Sequence, residues 1–277
     1  MISPESFLKN LHVGLPREQR LALEAVGFAF EGLGYAYARL REGAARLAEA
    51  SPQELQTMPL VPLFADAWAI IDYSHMARKL ISTLKPRQEL RSYCDETEIA
   101  TLLRNRAHHI HNSLKNLSAK AAGPPLFGAL SFAILEDGDL VETSDGSSVV
   151  RGWRAMVIPA GKPVEMLHRV AEGPAGEVRI EIPIGRFGLE AFDRFVNISE
   201  LFFSAQRAVV HFDTKVAAGV ESAVRKASLA AGLDPDEQLK HTGVAFVFDM
   251  RVAMEDEPAT VTALPYAPII LAALGAK

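Results

Sequence analysis

The sequence predicts an α+β protein: an up-and-down helical bundle over residues 1–122, then a region over 123–277 that mixes strands and helices. Three observations carry this. Residues 1–122 hold long stretches with apolar residues at helical spacing, each stopped by proline or glycine. Past Gly123-Pro124-Pro125 the pattern turns extended, predicting an antiparallel β-meander over 127–185. Helical spacing returns in Leu201, Phe202, Ala205, Val209, Phe212 and Val216, predicting a long helix over 198–231 that packs back on the bundle, followed by a final strand and tail.

The bulk numbers suit a globular chain. Its 277 residues are 49% hydrophobic and 23% charged, enough to bury a core without covalent staples. A single cysteine, Cys94, excludes an intramolecular disulfide framework and a multi-cysteine zinc site, and it fits a reducing compartment. The opening MISPESFLKNLHVG has no basic segment followed by an apolar one, so it does not read as an export signal. The apolar late segment VTALPYAPIILAALGAK is interrupted by Pro265 and Pro268 and falls short of the roughly 20 residues that cross a bilayer. A cytoplasmic protein with no membrane partner is expected.

The first helix is expected from Arg17 to Ala50, straight or kinked, with Gly27, Gly32 and Gly34 marking close helix contact or a bend. The second runs from Pro62 to Lys85, apolar nearly all round in its first half. In its second half Asp72, His75 and Lys79 fall in one narrow sector, at roughly 100° per residue. The third opens with Asp95 as N-cap and Glu98 three positions on, and extends to about Lys120. In the second region Asp137-Gly138 is the predicted hairpin turn, flanked by FGALSFAILE and DLVET, and Asp145-Gly146 leads into SSVVRGWRAMVIP. EVRIEIPI at 177–184 and VAFVFDMRV at 244–252 read as further strands.

Net charge is −5, which argues against a general nucleic-acid coat. The distribution is uneven: His75 to Lys120 carries nine Lys or Arg against four Asp or Glu, +5 locally, leaving −10 elsewhere. That stretch holds the residues able to do chemistry. On the third helix Ile99, Leu103, Ala107, Ile110, Leu114 and Leu117 form a core stripe, and the other face presents Arg104, Asn105, His108, His109 and Asn112, with Lys115 a turn further on. Solubility alone would be met by Glu and Lys.

The segment R-N-R-A-H-H at 104–109 resembles the R-x(4–6)-H motif of HEPN domains, in the form with a polar residue after the arginine; Arg104, Asn105 and His109 are the matched positions. The layout is similar too, with long helices before the motif and an acidic residue, Asp72, on the preceding helix. The resemblance covers roughly residues 15–120. It implies RNA cleavage without a metal or other cofactor, at an interface between two copies of the chain. A sheet between the motif helix and the next helix departs from the minimal HEPN layout.

The residues support that chemistry in their own right. A histidine with pKa near 6.5 accepts a proton from a ribose 2′-hydroxyl near neutral pH, the role assigned to His109. Arg104 stays charged and grips phosphate oxygens bidentately, and Asn105, one turn before His109, orients ring or substrate. Asp72 and His75 read either as a pair positioning the motif or as a satisfied buried pair between helices, while His108, His111, Asn112 and Lys115 read as substrate-contacting neighbours. Five residues rotate a helix by roughly 500°, so Arg104 and His109 stand about 140° apart, and convergence requires a twofold axis. A homodimer is therefore expected. His108 and His111 share a face and suggest a metal only weakly, so no metal is expected. The competing expectation is a module that binds RNA, nucleotide or protein on the same face without cutting. Trp68 and Phe64 read as core rather than as a base-stacking platform.

Overall fold

A computed structural model of the chain describes residues 1–55, 57–84, 88–109, 127–135, 140–142, 148–150, 153–159, 186–192, 194–242, 249–253 and 258–262. The architecture is α+β, rich in helix with small antiparallel sheets. Helix α1 (Arg17–Glu49) is one unbroken rod, settling the choice between a single helix and a kinked pair. Its core stripe is Val26, Phe30, Leu33, Tyr37, Leu40, Ala44 and Leu47, all buried and three or four residues apart. Gly32 shows why glycine sits inside this helix. A Cβ there would stand 2.4 Å from the ring of Tyr73, so the bare backbone lets that ring cross α1.

After the single turn α2 (Pro52–Leu55), helix α3 (Val61–Thr83) lies along α1 and is buried on most sides by Leu63, Phe64, Ala67, Ile70, Ile71, Ala77 and Ile81. It spans the expected range to within two residues. The third expected helix differs. Two helices stand there, α4 (Gln88–Glu96) and α5 (Glu98–His108), and Asp95 lies inside α4 rather than capping anything. The break falls at buried Thr97, whose hydroxyl donates to the carbonyl of Tyr93 at 2.7 Å and makes no capping bond to α5. A threonine side chain that bonds four residues back competes with helix continuation, which the capping-box reading overlooked. Helix α5 closes at His108, and the N–H of His109 caps it by donating to the carbonyl of Asn105 at 3.2 Å. Residues 110–120, on which the rest of that helix was expected, lie outside the described residues.

The strands correct the predicted meander. In the four-stranded sheet the order is β4 (Trp153–Pro159), β1 (Ala129–Leu135), β5 (Phe187–Ala191), β6 (Arg194–Asn197), all neighbours antiparallel. Strand β1 therefore pairs with β4 and not with the next strand in sequence. Leu135 faces Trp153, and in β2 (Leu140–Glu142) Leu140 faces Val150 of β3 (Ser148–Val150). The two flanks of Asp137-Gly138 thus pair with β4 and β3 and not with each other, while both Asp-Gly pairs lie outside the described residues. A two-residue turn signal is local, whereas the ladder is chosen by pairing along its whole length. The strand expected at 177–184 lies outside the described residues. The late strand expected at 244–252 is present in its described part as β7 (Asp249–Ala253), which pairs antiparallel with a further strand, β8 (Pro258–Thr262).

The long helical run after the sheet is present. It consists of α6 (Ile198–His211), a π-helical turn at Phe212–Val216 and α7 (Ala217–Ala230), followed by α8 (Pro235–Leu239). Asn197 caps its start, its side-chain oxygen accepting the N–H of Glu200 at 3.1 Å. One buried cluster includes Phe30 of α1, Ile70 of α3, Leu103 of α5, Leu130 and Leu189 of the sheet, and Leu201 of α6. Sheet and bundle are also joined by polar links. Ser199 accepts the Phe187 N–H at 2.9 Å and the Tyr37 hydroxyl at 3.1 Å. Among the described residues no helix is long and apolar enough to cross a membrane.

Candidate functional site

The polar sector of α3 and the polar side of α5 meet along one seam. Asp72 and Arg104 form an ion pair across it, with Oδ1 3.7 Å from Nε and side chains 55% and 35% exposed. These exposures leave both groups at the surface, within reach of a ligand. One turn deeper, His75 is buried, and its Nδ1 lies 3.0 Å from the hydroxyl of Thr101 on α5. Arg78 closes the row. Its Nε donates to the Cys94 carbonyl at 2.7 Å and its Nη1 makes a long 3.5 Å contact to the same Thr101 hydroxyl. Asp72 and His75, expected as a pair with each other, thus each bridge separately to α5.

The electrostatics of this seam are set by burial beside cations. Burial pushes the His75 imidazole below its ordinary value, and the positive charges of Arg104 and Lys79 push in the same direction, against a smaller opposing pull from Asp72. The ring is therefore neutral at pH 7. The Thr101 hydroxyl, with one proton and two acceptor sites, can meet both His75 Nδ1 and the Arg78 guanidinium at once.

Arg104 is the group through which this arrangement can act. A guanidinium carries five N–H donors in a rigid plane, and the nearest approach of Asp72 to it is at Nε, 3.7 Å away. The pairing orients the plane without consuming it, so the remaining donors fit a phosphate or carboxylate. Asn105, His108 and His109 are all exposed, so the tripeptide ends of the motif stand at the surface together with Arg104. Arg106 is committed elsewhere: its Nη1 donates to the Phe192 carbonyl at 2.6 Å and fastens α5 to the β5–β6 hairpin. His111, Asn112 and Lys115 lie outside the described residues. Trp68 packs edge-on against Phe192 and donates its indole N–H to the Phe127 carbonyl at 3.2 Å, so it holds the sheet to α3.

Sequence reasoning singled out Asp72, His75 and Arg104, which the fold gathers, and missed Thr101 and Arg78, which complete the row. Helical spacing carried the signal: Thr101 precedes Arg104 by three residues and Arg78 follows His75 by three, the intervals that share a helix face. No family model, curated protein or solved structure matches the chain.

Proposed function

We propose that the α3–α5 seam binds a phosphodiester and that the protein is a metal-independent endoribonuclease of the HEPN kind, acting as a homodimer on RNA. The observation that carries this reading is the surface ion pair of Arg104 with Asp72, set beside a buried neutral His75. It presents an oriented guanidinium in the part of the chain where positive charge is concentrated. In the reaction His109 takes the proton of a ribose 2′-hydroxyl, and the 2′-oxygen attacks the adjacent phosphorus. The 5′-oxygen leaves with a proton, giving a 2′,3′-cyclic phosphate and a free 5′-hydroxyl. Arg104 neutralises the charge that grows on the phosphoryl oxygens, Asp72 holds its plane, and Asn105 orients ring or substrate. His108, His111, Asn112 and Lys115 contact the flanking nucleotides, with His75 supporting the seam from below.

A second reading has its own support. At ideal helical spacing Arg104 and His109 are about 140° apart, so one helix does not aim both at one atom, and Arg104 is the motif residue paired across the seam. A non-catalytic module that binds RNA, nucleotide or protein needs no more than that. The two readings part on one assay, incubation of end-labelled RNA with the purified protein in excess chelator. Cleavage yields cyclic-phosphate ends that fall at least about a hundredfold in His109→Ala, the lower range of acid–base assistance. Retarded but intact RNA, with retardation lost in Arg104→Ala, establishes the module instead.

A further inference from the structure

None of the residues of the α3–α5 seam lines a partly open cavity of about 570 Å³ bordered by the N-terminal segment, the start of α1 and the π-helical turn with α7. That volume lies within the range of small-molecule sites, about 300–1,000 Å³. Its wall is mainly apolar, with Leu15, Leu23, Leu84, Leu90 and Phe212 among the contributors. Among the described residues no carboxylate lines it. The ionisable side chains that do are His12, His211 and Lys215, and among the described residues Lys215 takes part in no ion pair.

Two further features single this space out. The turn Phe212–Val216 is π-helical, a geometry that is rare and concentrated at functional sites, and it contributes Phe212, Lys215 and Val216 to the wall. Beyond it Gly219, Ala223 and Ala227 recur every four residues along the lining face of α7, and a Cβ at Gly219 would meet nothing within 4 Å. The space is also braced. Asp213 in the π turn accepts the Ser6 hydroxyl at 2.7 Å and the Phe7 N–H at 2.9 Å, tying the N-terminal segment to the turn. Buried His12 accepts the Gly14 N–H on Nδ1 at 3.0 Å, so its Nε2 carries the proton and donates to the Gln238 carbonyl at 2.9 Å. With both nitrogens engaged, His12 is a strut, and Lys215 with His211 is left to meet a ligand's charge.

We propose that this cavity is a binding site for a small amphipathic anion, an apolar body bearing one carboxylate, with the tail against Leu23, Leu84, Leu90 and Phe212 and the head at Lys215. It is separate from the nuclease reading and stands or falls without it.

The test uses the full chain and dodecanoate, below its micellar concentration, displacing 1-anilinonaphthalene-8-sulfonate fluorescence, with dodecanol as the uncharged counterpart. Dodecanoate is expected to bind at one saturable site, about tenfold more tightly than dodecanol, the scale of one charge-assisted contact. Gly219→Phe fills the space from an open position and abolishes binding with no loss of melting temperature. Ala223→Leu plugs the neighbouring turn and gives the same loss if the larger change perturbs folding. Lys215→Gln weakens dodecanoate about tenfold and leaves dodecanol unchanged. Absence of saturable binding, or binding undiminished in both plugged variants, overturns the site. Equal affinity for acid and alcohol, or indifference to Lys215→Gln, overturns the assignment of an anion.

Discussion

His75 and Arg104 are each held by a partner on the opposite helix, and the two partnerships have different consequences for pH. His75 is buried and its neutral form is favoured in the folded chain, so its pKa is lower folded than unfolded. The unfolded chain then binds the extra proton first. Stability from this group is complete above the unfolded value near 6.5 and is lost as pH falls below it. The melting temperature should therefore drop between pH 7.5 and pH 5.5, and drop less in His75→Gln, which keeps a hydrogen-bonding group without a titrating one. A drop of equal size in both proteins would remove His75 from the account. Arg104 and Asp72, being at the surface, should contribute little to stability: Arg104→Ala is expected to shift unfolding by less than about 1 kcal/mol, measured by urea denaturation. At this scale the sequence was informative where spacing on one helix sufficed, as for Asp72, His75 and Lys79. For Thr101 the spacing of three from Arg104 was a signal too weak to single it out, because a threonine on a mixed face gains meaning only once its partner across the seam is known.

Helices α1 and α3 were legible because a stripe of apolar residues at spacings of three and four, ended by proline, has few competing readings. The junction between α4 and α5 was not, because it depends on whether Thr97 bonds backward or caps forward. Strands fared worse for a related reason. Two Asp-Gly pairs offer equally good local turns, and only the length of the ladder between β1 and β4 decides between them. Strands β5 and β6 were not anticipated, since five residues containing Gly188 carry little periodic signal, yet Gly188 is where the ring of Phe195 crosses the sheet. Two substitutions test this level. Asn197→Ala removes the cap of α6 and should cost about 1 kcal/mol. Gly128 has φ +88°, and a Cβ there would stand 2.3 Å from the Glu190 carbonyl oxygen, so Gly128→Ala should cost more than about 1 kcal/mol. Both are read as shifts of the urea midpoint at constant slope.

Across the whole molecule, aromatic side chains connect the parts that the sequence treats separately. Phe30 of α1 meets Tyr93 of α4 edge-on and packs against Phe212 of the π turn, while Tyr37 meets Phe187 of β5 and stacks on Phe202 of α6. Phe30→Ala should therefore destabilise the chain by about 3–5 kcal/mol, the usual cost of emptying a large aromatic position in a core. This connectivity also explains why the cavity under α7 could not be foreseen. Its walls come from residues 12–23, from Leu84 and Leu90, and from residues 211–227, and no local pattern announces that they meet.

The proposed nuclease asks more of the assembly than of the single chain, because Arg104 and His109 reach one phosphodiester only if they come from two copies. Mixing inactive Arg104→Ala and His109→Ala proteins tests this most directly, by the rate of RNA cleavage in chelator. Random exchange makes half of the dimers mixed, and each mixed dimer rebuilds one intact site of two, so the mixture should recover about one quarter of the unmodified rate. A mixture no more active than its two components contradicts the account.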